Sequence, residues 1–151
     1  TMRIYIDTSV INGLYAQDER IKDITKQFFR SVKFGRFTLY GSEIVATEIK
    51  NTPNSGKRAL LIEIIAEHSI ELLPITEEIK TLAFYYVENK IIPGRYKADA
   101  LHIACCAVYN IPILASWNFE HIVKHKTRIE VNRLNQKLGW PQIDLCSPEE
   151  V

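Results

Sequence analysis

Five residues, Arg3-Ile4-Tyr5-Ile6-Asp7, constrain the fold of this chain more than any others. A short run of β-formers stops at a carboxylate, Thr8 and Ser9 follow, and Val10-Ile11-Asn12-Gly13-Leu14 begins a new pattern. Strand-to-helix junctions of this kind lie at the carboxyl edge of open α/β sheets, where such folds bind their ligands. The alternation then recurs along the chain. Residues 37–40, 70–73 and 111–116 read as further short strands, and 143–145 as a short candidate edge strand. Helical patterns fill the gaps: 11–15, a stretch carrying Ile21, Ile24, Phe28 and Val32, then 43–50 behind Ser42, 57–67, a helix capped by Thr76, 97–109, 118–123 and 128–138. Strands alternating with helices predict a three-layer α/β/α sandwich around a mostly parallel sheet of four or five strands. A closed α/β barrel would need about 250 residues.

At 151 residues the chain is expected to form a single domain over residues 2–151, with Thr1 ahead of Met2 set aside from fold reasoning. No apolar run approaches the roughly 18–20 residues that cross a bilayer, so no membrane role is expected. Three cysteines, Cys105 and Cys106 adjacent, offer no disulfide framework and suit a reducing cytoplasm. A net charge of +1 neither supports nor excludes nucleic acid, because a local basic face can bind phosphates without moving the total.

Three acids stand out. Asp7 ends the first strand. Glu48 falls within the apolar sector that Ile44, Val45 and Ile49 make on a helix, between Ile44 and Val45 in projection. A carboxylate there either snorkels to the rim or is held inward by a cation, since burying it unpaired is very costly. Asp99 opens a helix of small apolar residues, Ala98 to Val108, that is expected to be buried against the sheet. Alone, Asp99 is explained by the helix dipole; beside Asp7 and Glu48 it reads as a metal ligand. The strand at 111–116 is expected to lie beside the first at the switch point of the sheet, so that Asn118 projects into the same crevice as Asp7. Its amide oxygen is a candidate acceptor there, for a metal-bound water or a donor beside a phosphate.

Three carboxylates on one edge suit Mg²⁺ or Mn²⁺, which take oxygen ligands and keep several waters. Zinc is disfavoured by the lack of a Cys/His group with structural-site spacing. His121 and His125 read as surface or groove residues, His102 as a satisfied core histidine bordering Asp99, and Cys105 and Cys106 as small packing residues.

Assembled, these residues resemble the PIN-domain family and are similar to its VapC-type ribonuclease toxins. The pieces that match are Ile6-Asp7-Thr8-Ser9-Val10, the helix bearing Glu48, Ala98-Asp99-Ala100-Leu101-His102-Ile103-Ala104, and Leu114-Ala115-Ser116-Trp117-Asn118-Phe119, in family order. The resemblance implies a metal-dependent endoribonuclease, RNA as substrate, an antitoxin partner and a homodimer. It implies Asp7, Glu48, Asp99 and Asn118 as the catalytic set, with Asp7, Glu48 and Asp99 holding Mg²⁺ or Mn²⁺. Ser9 and Ser116 are expected to orient a carboxylate or waters. Arg95, Lys97 and Lys124 are candidate RNA contacts, and Trp117 either stacks on a base or belongs to the core. Many PIN domains carry Asp where this chain has Asn118, and the neutral amide predicts a single bound metal. The same departure keeps open a non-catalytic PIN module that binds RNA or a partner protein. A phosphatase or receiver domain is disfavoured, because Asp7-Thr8-Ser9 lacks an Asp-x-Asp arrangement and no acidic pair accompanies the first strand.

Overall fold

The computed structural model describes residues 1–151. Five strands, β1 (Met2–Ile6), β2 (Phe37–Ser42), β3 (Glu71–Leu73), β4 (Ile113–Ala115) and β5 (Asp144–Cys146), form one sheet in the order β3-β2-β1-β4-β5. Every neighbouring pair is parallel. Seven helices connect them: α1 (Thr8–Gly13), α2 (Glu19–Lys33), α3 (Glu43–Lys50), α4 (Ser55–Glu67), α5 (Glu77–Glu88), α6 (Lys97–Val108) and α7 (His125–Leu138). The order reverses direction at β1, so the crevice between β1 and β4 is the switch point.

Alternation along β1 builds the three layers. Ile4 and Ile6 face a cluster with Val10, Ile11, Phe28, Phe29, Val45, Ile49 and Leu61 from the first four helices. Tyr5 faces the other way, into a cluster with Ile79, Leu82, Tyr86, Ile103 and Val131 from the last three. Side chains of successive strand residues point to opposite faces, so one strand serves both cores. Helix starts follow the caps read from the sequence. The Ser42 hydroxyl accepts from Ile44 N–H, and that of Thr76 from Ile79 N–H. Gly139, at φ +82°, ends α7 in the left-handed region that favours glycine.

Residues 118–123 differ from expectation: they form a turn, not a helix. The Asn118 side-chain oxygen accepts from the N–H groups of Glu120 and His121, and its carbonyl from those of Ile122 and Val123. Lys124 is then extended, at φ −151°, which stops any helical continuation before α7 begins at His125. No helix is long and apolar enough to cross a membrane.

Candidate active site

Register brings the site together. Ile6 pairs with Ala115, so Asp7 and Ser116 emerge side by side one residue further on. The Ser116 hydroxyl donates to Asp7 Oδ2 at 2.6 Å, and the Ser9 hydroxyl donates to Asp7 Oδ1 at 2.5 Å. Ser9 Oγ in turn accepts from Trp117 N–H and Ser116 Oγ from Asn118 N–H, both at 2.9 Å. Asp7 is therefore held on both oxygens, only 4% exposed, at the first residue past the strand. Gly13 allows the next layer to close. A Cβ there would lie 2.6 Å from Thr25 Oγ1 and 3.0 Å from Trp117 Nε1, the pair that joins through a 3.0 Å hydrogen bond. Trp117 is thus half-buried and packed against the β1/α1/α2 core, with its indole N–H engaged.

Glu48 leans in from α3, half-buried, while Val45 and Ile49 beside it are buried. Its Oε1 accepts from the Thr8 hydroxyl at 2.7 Å and from His102 Nε2 at 2.8 Å. An ionised carboxylate can only accept, so Nε2 carries the proton. The other ring nitrogen, Nδ1, lies 2.6 Å from Tyr5 Oη, which meets Ser42 Oγ at 2.8 Å. His102 is buried, as expected of a core histidine, but it also belongs to the site: it is what turns Glu48 inward. A protein donor, and not only a cation, thus accounts for a carboxylate inside the apolar stripe.

Asp99 sits in the first turn of α6, with its side chain 16% exposed. Its Oδ2 accepts from Asn118 Nδ2 at 3.2 Å and lies 3.2 Å from His121 Nδ1. The orientation of Asn118 follows from its neighbours. Backbone N–H groups only donate, so the side-chain oxygen faces Glu120 and His121 and the NH₂ faces Asp99. The amide oxygen expected to serve the crevice is committed to the backbone instead, and Asn118 reaches the site as a donor. His121, read from the sequence as a surface or groove residue, is buried and next to Asp99. His125 is exposed. Arg95, Lys97 and Lys124 are all exposed; Arg95 and Lys97 stand three and one residues from α6's Ala98, on the approach to Asp99, while Lys124 follows the Asn118 turn.

The electrostatics show Asp7 and Asp99 under pressure from burial and from neighbouring acids. Burial pushes the Asp7 carboxyl up from 3.8, against the pull of His102 and of the Ser116 and Ser9 hydrogen bonds, and Glu48 adds to the rise. Burial also raises Asp99 from 3.8; Asp7 and Glu48 add to it, while His102 and His121 oppose it. Burial would raise Glu48 as well, but the hydrogen bond and charge of His102, with the Thr8 hydroxyl, outweigh it and hold Glu48 below 4.5. His102 is lowered by burial yet ends above 6.5, because Glu48, Asp7 and Asp99 all favour its cation. Cys105, pushed up to about 12 by burial, is inert packing at neutral pH.

No three acid, histidine or cysteine side chains converge as a ready-made metal cage. The donor chemistry nevertheless fits a hard divalent cation: three carboxylates at a sheet edge, two of them feeling the charge of a neighbouring acid. Asp7, Glu48 and Asp99 are the side chains that could hold one. Sequence reasoning missed Thr8 and His121 as partners of these acids, and Tyr5 as the partner of His102. His102 carried a usable signal, since it lies three residues after Asp99 on one helix face. His121 carried none, because its inward turn depends on Asn118 capping the loop.

A family model, described as the PIN domain, matches residues 4–120. Solved structures of the same shape include VapC20 of Mycobacterium tuberculosis, described as a sarcin-ricin loop cleaving toxin, with a TM-score of 0.59 and 12% identity over 93% of this chain and 98% of that one. FitAcB of Neisseria gonorrhoeae gives a TM-score of 0.59 and 15% identity over 98% and 99% of the two chains. VapBC2 of Rickettsia felis, bound to a fragment of promoter DNA, gives 0.54 and 13% over 95% and 97%. At these identities the likeness is one of fold. No curated protein matches the chain.

Proposed function

This chain belongs to the PIN-domain family, and from that premise we propose that it is a metal-dependent endoribonuclease that hydrolyses RNA phosphodiester bonds. The observation that supports the reading is the placement of Asp7, Glu48 and Asp99 around the β1/β4 switch point, where Asp7 feels the charge of Glu48 and Asp99 feels the charge of both. A structural network has no use for three carboxylates so placed, because their repulsion only destabilises the empty fold.

Asp7, Glu48 and Asp99 would hold Mg²⁺ or Mn²⁺, which when bound would supply positive charge at the phosphate and activate water for hydrolysis. The chain's own groups do the positioning. Ser9 and Ser116 hold both oxygens of Asp7. Thr8 and His102 hold Glu48, and Asn118 with His121 holds Asp99. Partners of this kind fix the direction in which a carboxylate offers its lone pairs. Arg95, Lys97 and Lys124 supply positive charge for the RNA backbone around an otherwise acidic cleft. With Asn118 donating to Asp99 where an acid would repel it, one metal is the expected resting complement.

The likeness to VapC-type toxins supports a further reading of context, a toxin held in check by an antitoxin and working as a homodimer in the cytoplasm. The test of the core reading is cleavage of RNA in Mg²⁺ or Mn²⁺, with EDTA, Asp7→Asn and Asp99→Asn as controls. Cleavage by the wild type alone supports it. No cleavage with folded wild type leaves a non-catalytic PIN module, the reading that Asn118's engagement with Asp99 favours; cleavage that survives both substitutions belongs to a contaminant.

A further inference from the structure

Tyr96 closes a single 3-10 turn, Gly94–Tyr96, and leads directly into α6, three residues before Asp99. Its ring lies on that of His121, with centroids 3.9 Å apart and planes inclined by 35°. His121 is buried beneath it and contacts Asp99. Tyr96 itself is 37% exposed and belongs to neither hydrophobic core. Arg95 and Lys97, on either side in sequence, are exposed as well. A flat aromatic surface, backed by a second ring, bracketed by two cations and one contact removed from a proposed ligand carboxylate, has the makings of a nucleotide subsite.

We propose that Tyr96, backed by His121 and flanked by Arg95 and Lys97, is a stacking platform for an unpaired nucleobase next to the cleaved phosphodiester. The proposal rests on the ribonuclease reading and extends it to the class of RNA bound. Every base has a π-face, so stacking selects for an unpaired base more than for a particular one. A base within a duplex has both faces taken by its neighbours, so the platform favours single-stranded segments, loops and bulges. Arg95 and Lys97 bind the phosphates on either side of that nucleotide and add salt dependence.

The test measures binding of a 5′-labelled single-stranded RNA 12-mer by fluorescence anisotropy in EDTA, where cleavage is off, and KM in Mn²⁺, where it is on. Tyr96→Phe keeps the ring and stays within about twofold of wild type, whereas Tyr96→Ala weakens binding and raises KM about fivefold or more, the low end of what loss of one stacked base brings. A set of 12-mers, each with one abasic ribose, locates the base. At that position the wild type loses as much as Tyr96→Ala does, and the two losses do not add. On the duplex of the same sequence Tyr96→Ala has no effect. Equal affinity and KM for wild type and Tyr96→Ala, or a loss that is the same on duplex and on every abasic strand, overturns the platform and leaves Tyr96 as a cover for His121. If RNA is cleaved while those results fail, the ribonuclease reading stands without it. If wild type neither binds nor cleaves RNA, both fall.

Discussion

Two polar networks lie at opposite edges of the same sheet, and they are built on different terms. At the amino edge, Tyr86 Oη donates to Asn135 Oδ1 at 2.5 Å, and Asn135 Nδ2 donates to the Pro141 carbonyl at 3.1 Å. Beside it, Asn132 meets the backbone of Ile143 twice, donating to its carbonyl at 2.9 Å and accepting from its N–H at 2.8 Å. Every group is neutral and every donor faces an acceptor, although Asn135 is fully buried. At the carboxyl edge, three acids and two histidines lie within one another's fields, and although no buried polar atom lacks a partner, burial and neighbouring acids still raise Asp7 and Asp99. The first network closes the fold. The second remains short of positive charge, which is how a site differs from a structural contact.

The largest effect that separates them is on activity. Asp7→Asn is expected to lower RNA cleavage by roughly 10²–10³-fold or more, the loss typical when one preorganised charge-stabilising group is removed. Because burial raises Asp7 in the native state, its ionisation at neutral pH costs stability. The same variant should therefore unfold at a higher urea concentration than wild type in EDTA. A variant that loses both activity and stability would place Asp7 in the structural class.

Asn135→Ala is the mirror experiment. It strands the Tyr86 hydroxyl and the Pro141 carbonyl in a buried place, at a cost of roughly 2–4 kcal/mol in urea unfolding, with cleavage per folded molecule unchanged. Were cleavage to fall with stability held, the amino edge would be coupled to the site and the contrast would break.

The two edges also differed in how far they could be read in advance. Strand and helix alternation, the caps at Ser42 and Thr76 and the stop at Gly139 are local, and periodicity with turn chemistry exposes them. Asp7, Glu48 and Asp99 were legible for a related reason: each is an acid out of keeping with its neighbours. What escaped depends on register and on loops. Asn132 and Asn135 look like ordinary polar helix residues until β5 is placed beside them. The turn after Asn118 read as a helix because helical spacing and a capped turn share their first few residues. That one difference hid His121 and reversed the sense of the Asn118 amide.

Metal provides the third comparison. Ligand that binds only the native state stabilises by about 2.7 kcal/mol at a hundred times its dissociation constant. Millimolar Mn²⁺ is expected to raise the melting temperature of wild type and to leave that of an Asp7→Asn, Asp99→Asn double variant unmoved. Anomalous scattering from a soaked crystal should show one strong manganese peak between Asp7, Glu48 and Asp99; two fully occupied peaks would show that Asn118 does not limit the site. Asn135→Ala should gain from Mn²⁺ as wild type does, since its network takes no part.

The smallest effect is on the pH dependence of stability, and it isolates the Glu48–His102 pair within the acid edge. Glu48 is held below 4.5, so its contribution is present above that value and is lost as pH falls through the lower native value. His102 is held above 6.5, so its contribution is complete below that value and is lost as pH rises through the higher native one. The pair therefore stabilises most between about pH 4.5 and 6.5. Glu48 is half-exposed, which limits the gain to about 1 kcal/mol. Asp7 and Asp99, being raised, lose stability in the same direction as pH climbs, so wild type in EDTA should show a falling urea midpoint from pH 5 to 9. His102→Gln keeps an N–H for Glu48 but cannot charge, and should remove the part of that fall that belongs to the imidazole; without its charge, which draws Asp7 and Asp99 down, the part that belongs to the two aspartates should shift to higher pH. A His102→Gln profile parallel to wild type throughout would mean that the imidazole stays neutral in the fold and holds Glu48 by its hydrogen bond alone.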